Sequence, residues 1–151
     1  MTNSEPSNLH VVLADDDMDD SFIFNVAVQQ ANLPIRLTIT EDGQKLLNYL
    51  ENENQPDIIF LDINMPFRNG IECLATIRAN KKFDKVPVVM YSTTNNRLNV
   101  EACYNGGANL YVVKPNSFEE VDKMVKKICS KDWVSNIQVP AKEQFIMYSF
   151  S

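Results

Sequence analysis

Three aspartates in a row, Asp15, Asp16 and Asp17, follow one short apolar run, and Asp62 ends another. Ser92 and Thr93 close a third such run, and Lys114 with Pro115 a fourth. Each has an ordinary explanation alone, because strands end in polar residues and Asp often caps the helix that follows. Taken jointly they are acids, a hydroxyl and one ammonium that a common sheet rim would collect. Carboxylates gathered within about 4 Å repel by several kcal/mol even at an effective dielectric near 20, so such a group needs a cation. Oxygen ligands without His or Cys select a hard ion, and Mg²⁺ with its retained waters fits two carboxylates plus a backbone carbonyl. Such an ion holds phosphoryl oxygens beside a carboxylate nucleophile, while a hydroxyl and an ammonium take up the remaining charge of transfer. The chemistry this predicts is reversible aspartyl phosphorylation.

These side chains converge only if strand and helix alternate. Leu9 to Ala14 reads as a buried parallel strand. Asp19 or Asp20 is expected to cap a helix to about Gln30, with Phe22, Ile23, Val26 and Ala27 at helical spacing. Pro34 precedes a second strand, Ile35 to Thr40, and Asp42 opens a helix burying Leu46, Leu47 and Leu50. Ile58 to Leu61 is a third, fully apolar strand; a loop from Asp62 to Gly70 leads to a helix marked by Ile71, Leu74 and Ile77. A fourth strand is expected over Val86 to Tyr91, then a helix capped by Asn95 or Asn96 and stopped by Gly106-Gly107. Leu110 to Val113 is the fifth strand. Ser117 and Glu120 form a capping box for a last helix with Phe118, Val121, Met124, Val125 and Ile128 on one face. The pattern predicts an α/β fold, a doubly wound five-stranded parallel sheet with five helices, its site outside the carboxyl ends of the strands.

With 151 residues, 44% of them hydrophobic, the chain has one core and no room for a second catalytic domain. Its 14 basic against 20 acidic residues give a formal charge of -6, which disfavours nucleic acid as a direct partner. No apolar stretch approaches the roughly 20 residues that cross a bilayer, and no basic n-region opens the chain, so a cytoplasmic protein with no membrane partner is expected. Cys73, Cys103 and Cys129 read as reduced core thiols, and His10, the only histidine, rules out a His-rich metal site.

Asp15-Asp16, Asp62, Ser92 and Lys114-Pro115, spaced over five βα units, resemble the receiver domain of two-component response regulators, of the single-domain, chemotaxis-regulator-like type. The resemblance covers about residues 9 to 132. It implies a flavodoxin-like receiver fold with Asp62 as phosphoacceptor. It further implies that Asp16 and Asp62 bind Mg²⁺ by side chain, Asn64 by its backbone carbonyl and Asp15 through water. Ser92 matches the switch hydroxyl, Tyr111 the switch aromatic that follows it inward, Lys114 the phosphoryl-binding lysine, and Pro115 the residue after a cis peptide. Asn64-Met65-Pro66 and Gly70 fit the same pattern. Thr93 is larger than the residue often found after the switch hydroxyl. Asp17, Asp19 and Asp20 are expected to be solvated cap or turn residues.

The domain plan that follows is a flexible N-terminus at 1–8, a receiver at 9–132 and an apolar tail at 133–151. From Val134 on there is too little chain for a DNA-reading helix pair. The expected function is that of a stand-alone response regulator in a phosphorelay, not a turnover enzyme. It accepts a phosphoryl group from a histidine kinase or histidine phosphotransfer protein and switches a surface for a downstream protein target, as a monomer or weak dimer. The alternative is a receiver fold acting as an interaction module without phosphorylation. A haloacid-dehalogenase-like phosphatase fits less well, because Asp62 is followed two residues on by Asn64, not Asp. A flavodoxin-like FMN site lacks its hydroxyl-rich loop where Asp15 to Asp17 stand. The tail residues Trp133, Val134, Ile137 and Val139, then Pro140, then Phe145 to Tyr148 and Phe150 are expected to cover an apolar groove, by preference on the same chain and otherwise on a second copy as an intermolecular strand or docking segment.

Overall fold

Strand and helix alternate in the computed structural model, which describes residues 8–52, 55–137 and 144–147. In chain order the elements are β1 (Leu9–Ala14), α1 (Met18–Gln30), β2 (Ile35–Thr40), α2 (Gly43–Asn52), β3 (Ile58–Leu61) and α3 (Gly70–Ala79). After a 3₁₀ turn at Lys81–Phe83 come β4 (Val88–Ser92), α4 (Arg97–Asn105), β5 (Leu110–Val113), α5 (Phe118–Ile128), α6 (Lys131–Asn136) and β6 (Ile146–Met147). All strands run parallel in the order β2-β1-β3-β4-β5-β6. The chain therefore reverses its direction of winding between β1 and β3, where doubly wound sheets open a crevice.

The central strands β1, β3 and β4 are buried at every position, and their side chains alternate between two cores. Val12, Ile59, Leu61 and Val88 meet Leu46, Leu74 and Ile77 from α2 and α3 on one face. Val11, Leu13, Ile58 and Phe60 meet Phe24, Val121 and Met124 from α1 and α5 on the other. Cys73, Cys103 and Cys129 are free and buried.

Helix α1 turns a different face inward from the one expected. Ser21, Phe24, Ala27 and Val28 are buried, while Phe22 is 67% exposed and Ile23 also faces solvent. Positions 22–28 are so evenly apolar that periodicity offers two faces. The edge-to-face contacts of Phe24 with Phe60 (5.0 Å) and Tyr91 (5.8 Å) select one. The N-cap is Asp17, accepting from the amides of Asp19 and Asp20, and not either of those residues. Strand β4 begins at Val88, beyond Pro87, whose ring nitrogen cannot join a ladder. Asn69 and Glu72 form a full capping box on α3 that the expected elements did not include. Phe118 is more exposed than its place on the apolar stripe of α5 suggests.

His10 lies at the opposite end of β1 from the acids. Arg36 Nη2 stands 3.1 Å from its Nδ1 and the Tyr49 hydroxyl 3.0 Å from its Nε2. A guanidinium can only donate, so Nδ1 accepts and the ring braces β1 against β2 and α2.

A sixth strand comes from the tail. Tyr111 N–H donates to Phe145 O at 2.9 Å, and β6 aligns Ile146 with Tyr111 and Met147 with Val112 along β5. Phe145, 1% exposed, joins the core beside Tyr104 and Tyr111. The expected return of the tail onto its own chain is thus seen for Phe145 to Met147, and Trp133, Val134 and Ile137 are half-buried. Residues 1–7, Val139, Pro140, Tyr148 and Phe150 lie outside the described residues.

Candidate functional site

The carboxyl ends of β1 and β3 flank the crevice, and each ends in an acid. Asp15 and Asp62 are 2% and 5% exposed, a costly burial for carboxylates unless something balances them. The backbone supplies part of the balance. Asp62 Oδ1 accepts from Ile63 N at 2.7 Å and from Asn64 N at 3.4 Å, and Asp15 Oδ1 accepts from Asp17 N at 2.9 Å.

The loop after β3 makes this possible by folding back on itself, with Gly70 N donating to Ile63 O at 2.8 Å. That closure brings α3 onto the backbone of Asp62. A Cβ on Gly70 would stand 2.1 Å from Asp62 O, so only glycine fits there. Phe67, near the loop's apex, holds a left-handed φ of 69° and is 83% exposed. For a bulky residue that conformation costs about 1–2 kcal/mol.

Lys114 supplies the rest. Its side chain crosses the rim from β5, passing 5.5 Å over the ring of Tyr91, and its Nζ reaches Asp15 Oδ2 (2.8 Å), Asp20 Oδ2 (2.8 Å) and Asp62 Oδ2 (3.1 Å). Burial works to lower the Lys114 pKa, yet its contacts with Asp15 and Asp20 and the field of Asp62 outweigh this and hold it above its usual value. Asp15 is displaced in the direction that disfavours its charge. Burial pushes it up to about 7, reinforced by Asp62 and opposed by Lys114 and the Asp17 amide.

The four acids are not alike. One ligand oxygen each from Asp15, Asp16 and Asp62 lies within 4.8 Å of the others, a grouping that could hold a metal ion. Asp16 is exposed, and the buried Asp15 Oδ2, though close to Lys114, lacks an aligned hydrogen-bond donor. An all-oxygen set with one under-satisfied buried oxygen fits a hard divalent cation. Asn64 is exposed with its amide toward Asp62. Asp20, expected to be a solvated turn residue, is instead a direct partner of Lys114; only the fold shows that the first turn of α1 faces the end of β5.

Ser92 and Tyr111 are joined through one loop residue. Leu61 pairs with Met90, so Ser92 lies one position further along β4 than Asp62 along β3. Ser92 Oγ is fully buried and accepts from Thr94 N at 3.4 Å, and the Tyr111 hydroxyl donates to Thr94 O at 2.6 Å. Tyr111 is itself fully buried, so the ring already occupies the interior that it was expected to enter. Thr93 is exposed. The expected cis peptide before Pro115 is absent: among the described residues every peptide bond is trans, the lower-energy form, and Lys114 reaches all three acids from it.

The raised Asp15 carboxyl makes a stability prediction. A carboxyl near 3.8 unfolded and about 7 folded holds its proton more tightly in the native state, so its contribution is complete below pH 3.8 and is lost as pH rises through 7. In chelator, urea melts at pH 5 and pH 8 should therefore differ by about 2–4 kcal/mol in favour of pH 5, since each tenfold gain in proton affinity is worth about 1.4 kcal/mol. Mg²⁺ should restore stability at pH 8, and Asp15→Asn should flatten the profile. A wild-type profile that is flat or rises over this window contradicts the assignment.

The sequence matches the family model for the response regulator receiver domain over residues 11–126. It is 31% identical over 137 residues to response regulator Rcp1 of Synechocystis sp., covering 87% of this chain and 92% of that one. The solved Mn²⁺-bound form of Rcp1 superposes with a TM-score of 0.75 at 30% identity over 87% of this chain and 99% of that one. The phosphorylated cyanobacterial phytochrome response regulator RcpA superposes with a TM-score of 0.78 at 27% identity, over 89% and 99%.

Proposed function

The chain belongs to the response-regulator receiver family, and on that premise we propose that it is a stand-alone response regulator phosphorylated on Asp62. The observation that carries this is the placement of the Lys114 ammonium 3.1 Å from Asp62 Oδ2, at the switch point of the sheet, while backbone amides hold Oδ1. Asp62 Oδ2 attacks the phosphorus of a phosphohistidine or small acyl phosphate. A P–O bond forms as the donor's P–N or P–O bond breaks, and the donor keeps the electron pair. Lys114 binds a phosphoryl oxygen, and Asp15, Asp16 and Asp62 with the Asn64 carbonyl are the groups that would hold Mg²⁺. Bound there, the ion would neutralise phosphoryl charge. The product is a modified protein, so the role is that of a phosphoacceptor and not a turnover enzyme.

A protein partner is supported by what surrounds the acids. Met18 (81% exposed), Phe22 and Phe67 present large apolar side chains from α1 and the loop after β3, a composition suited to another protein's helices. We assign this rim to the histidine kinase or histidine phosphotransfer protein. The downstream target would read the α4–β5 side, and the cytoplasmic location follows from those partners. Among the described residues no helix is long and apolar enough to cross a membrane. We keep the division into a 9–132 receiver and a 133–151 tail, although α6 spans their boundary.

Mg²⁺ with acetyl phosphate should add one phosphoryl mass to the intact protein; no gain at any donor concentration would refute this function. Ser92→Ala should still be phosphorylated, but should lose roughly tenfold in coupling to α4, the worth of one hydrogen bond to a charged group. Amide shifts of residues 97–105 on phosphorylation that match wild type would disprove the Ser92–Thr94–Tyr111 route.

A further inference from the structure

Lys114 has three ammonium protons and three carboxylate neighbours, and one of these, Asp20, has no part in the reaction described above. Resting on that function, we propose that Asp20 is a positioning residue that draws Lys114 toward α1 and so limits how tightly the site holds a phosphoryl group.

The geometry supports this in two ways. The Lys114 side chain is 6% exposed, and its ammonium stands 2.8 Å from Asp20 Oδ2 and 3.1 Å from Asp62 Oδ2, so at rest it is shared between the helix and the acceptor. Asp20 is also a fixed anchor: its own amide donates to the cap Asp17 at 3.0 Å, in the first turn of α1.

Asp20 is set apart from the other acids in both burial and grouping. Its side chain is 32% exposed, whereas that of Asp15 is fully buried, and it is not one of the three acids whose oxygens cluster for a cation. Its pull on Lys114 is therefore separable from metal binding. A phosphoryl group brings roughly -1.5 to -2 charges and must recruit the same ammonium. Each proton that Lys114 keeps on Asp20 is withheld from the phosphoryl oxygens, and the Asp20 carboxylate also repels them.

Asp20→Asn should lower the acetyl phosphate concentration giving half-maximal phosphorylation by roughly fivefold, the worth of about 1 kcal/mol for a partly exposed pair. The saturating rate should stay within about twofold of wild type. Asp20→Glu should restore the wild-type value, and Mg²⁺ affinity and melting temperature should move little in either variant. Because the pair is partly exposed, salt near 1 M, where the screening length is about 3 Å, should bring wild type toward Asp20→Asn. A half-maximal concentration unchanged in Asp20→Asn, or a change confined to the saturating rate, overturns the proposal. Titration with inorganic phosphate, followed by backbone amide shifts of residues 15–20, gives a readout that needs no phosphorylation. It should show roughly fivefold tighter binding in Asp20→Asn, and equal affinity overturns the role of Asp20 by itself. If acetyl phosphate labels neither protein, Asp62 fails as acceptor while the phosphate titration still decides Asp20.

Discussion

Asp62→Asn should abolish the phosphoryl mass gain from acetyl phosphate while leaving a folded protein. The change is isosteric, so the amide fills the same space at the end of β3 and its carbonyl can still accept from Ile63 N, which now reaches Asp62 Oδ1 at 2.7 Å. What disappears is the anionic oxygen facing Lys114. An amide is not nucleophilic toward phosphorus, and no other acid replaces it. Asp15 is buried at the end of β1 and paired with the same lysine, while Asp16 is exposed and unconstrained by Lys114. Removing one of several crowded carboxylates also relieves repulsion, so the melting temperature should hold or rise. Intact mass before and after donor, with Mg²⁺ present, checks the outcome. A mutant that still gains one phosphoryl group at the wild-type rate would move the acceptor elsewhere.

The second large effect belongs to the tail. Phe145→Ala should cost about 3–5 kcal/mol, the usual range for removing a fully buried Phe, because its ring packs against Tyr104 at 5.1 Å and Tyr111 at 6.2 Å. The ladder it anchors is short, so the loss should appear first as release of β6 from β5. Tyr111 N–H, bonded to Phe145 O, should then exchange with solvent far faster than in wild type. Denaturant melts and amide exchange of Tyr111 measure the two parts. A change under about 0.5 kcal/mol with Tyr111 still protected would mean that β6 adds nothing to the fold. Phosphorylation of Asp62 should survive in this variant, since among the described residues the tail contributes no group to the acidic rim.

Composition and local pattern were enough to identify the βα units, because fully buried parallel strands must be apolar throughout and each ends abruptly where the rim meets water. Asp15, Asp16, Asp62 and Lys114 stand at those ends, so their shared edge could be read from strand boundaries alone. The phase of α1 could not, since Phe22, Ile23, Phe24, Val26, Ala27 and Val28 allow two buried faces. Contact with Phe60 and Tyr91 chose between them. Nor could Asp20 be separated from Asp17 and Asp19 by type or spacing. Asp17 caps the helix, and Asp20 meets a lysine 94 positions away, a pairing that exists only once the sheet brings the end of β5 beside the first turn of α1. The tail's apolar residues showed that a covering surface was needed. Which surface was decided by the tertiary structure, because a strand edge satisfies backbone hydrogen bonds wherever it is open, and only the strand order leaves β5 open to receive Phe145 to Met147.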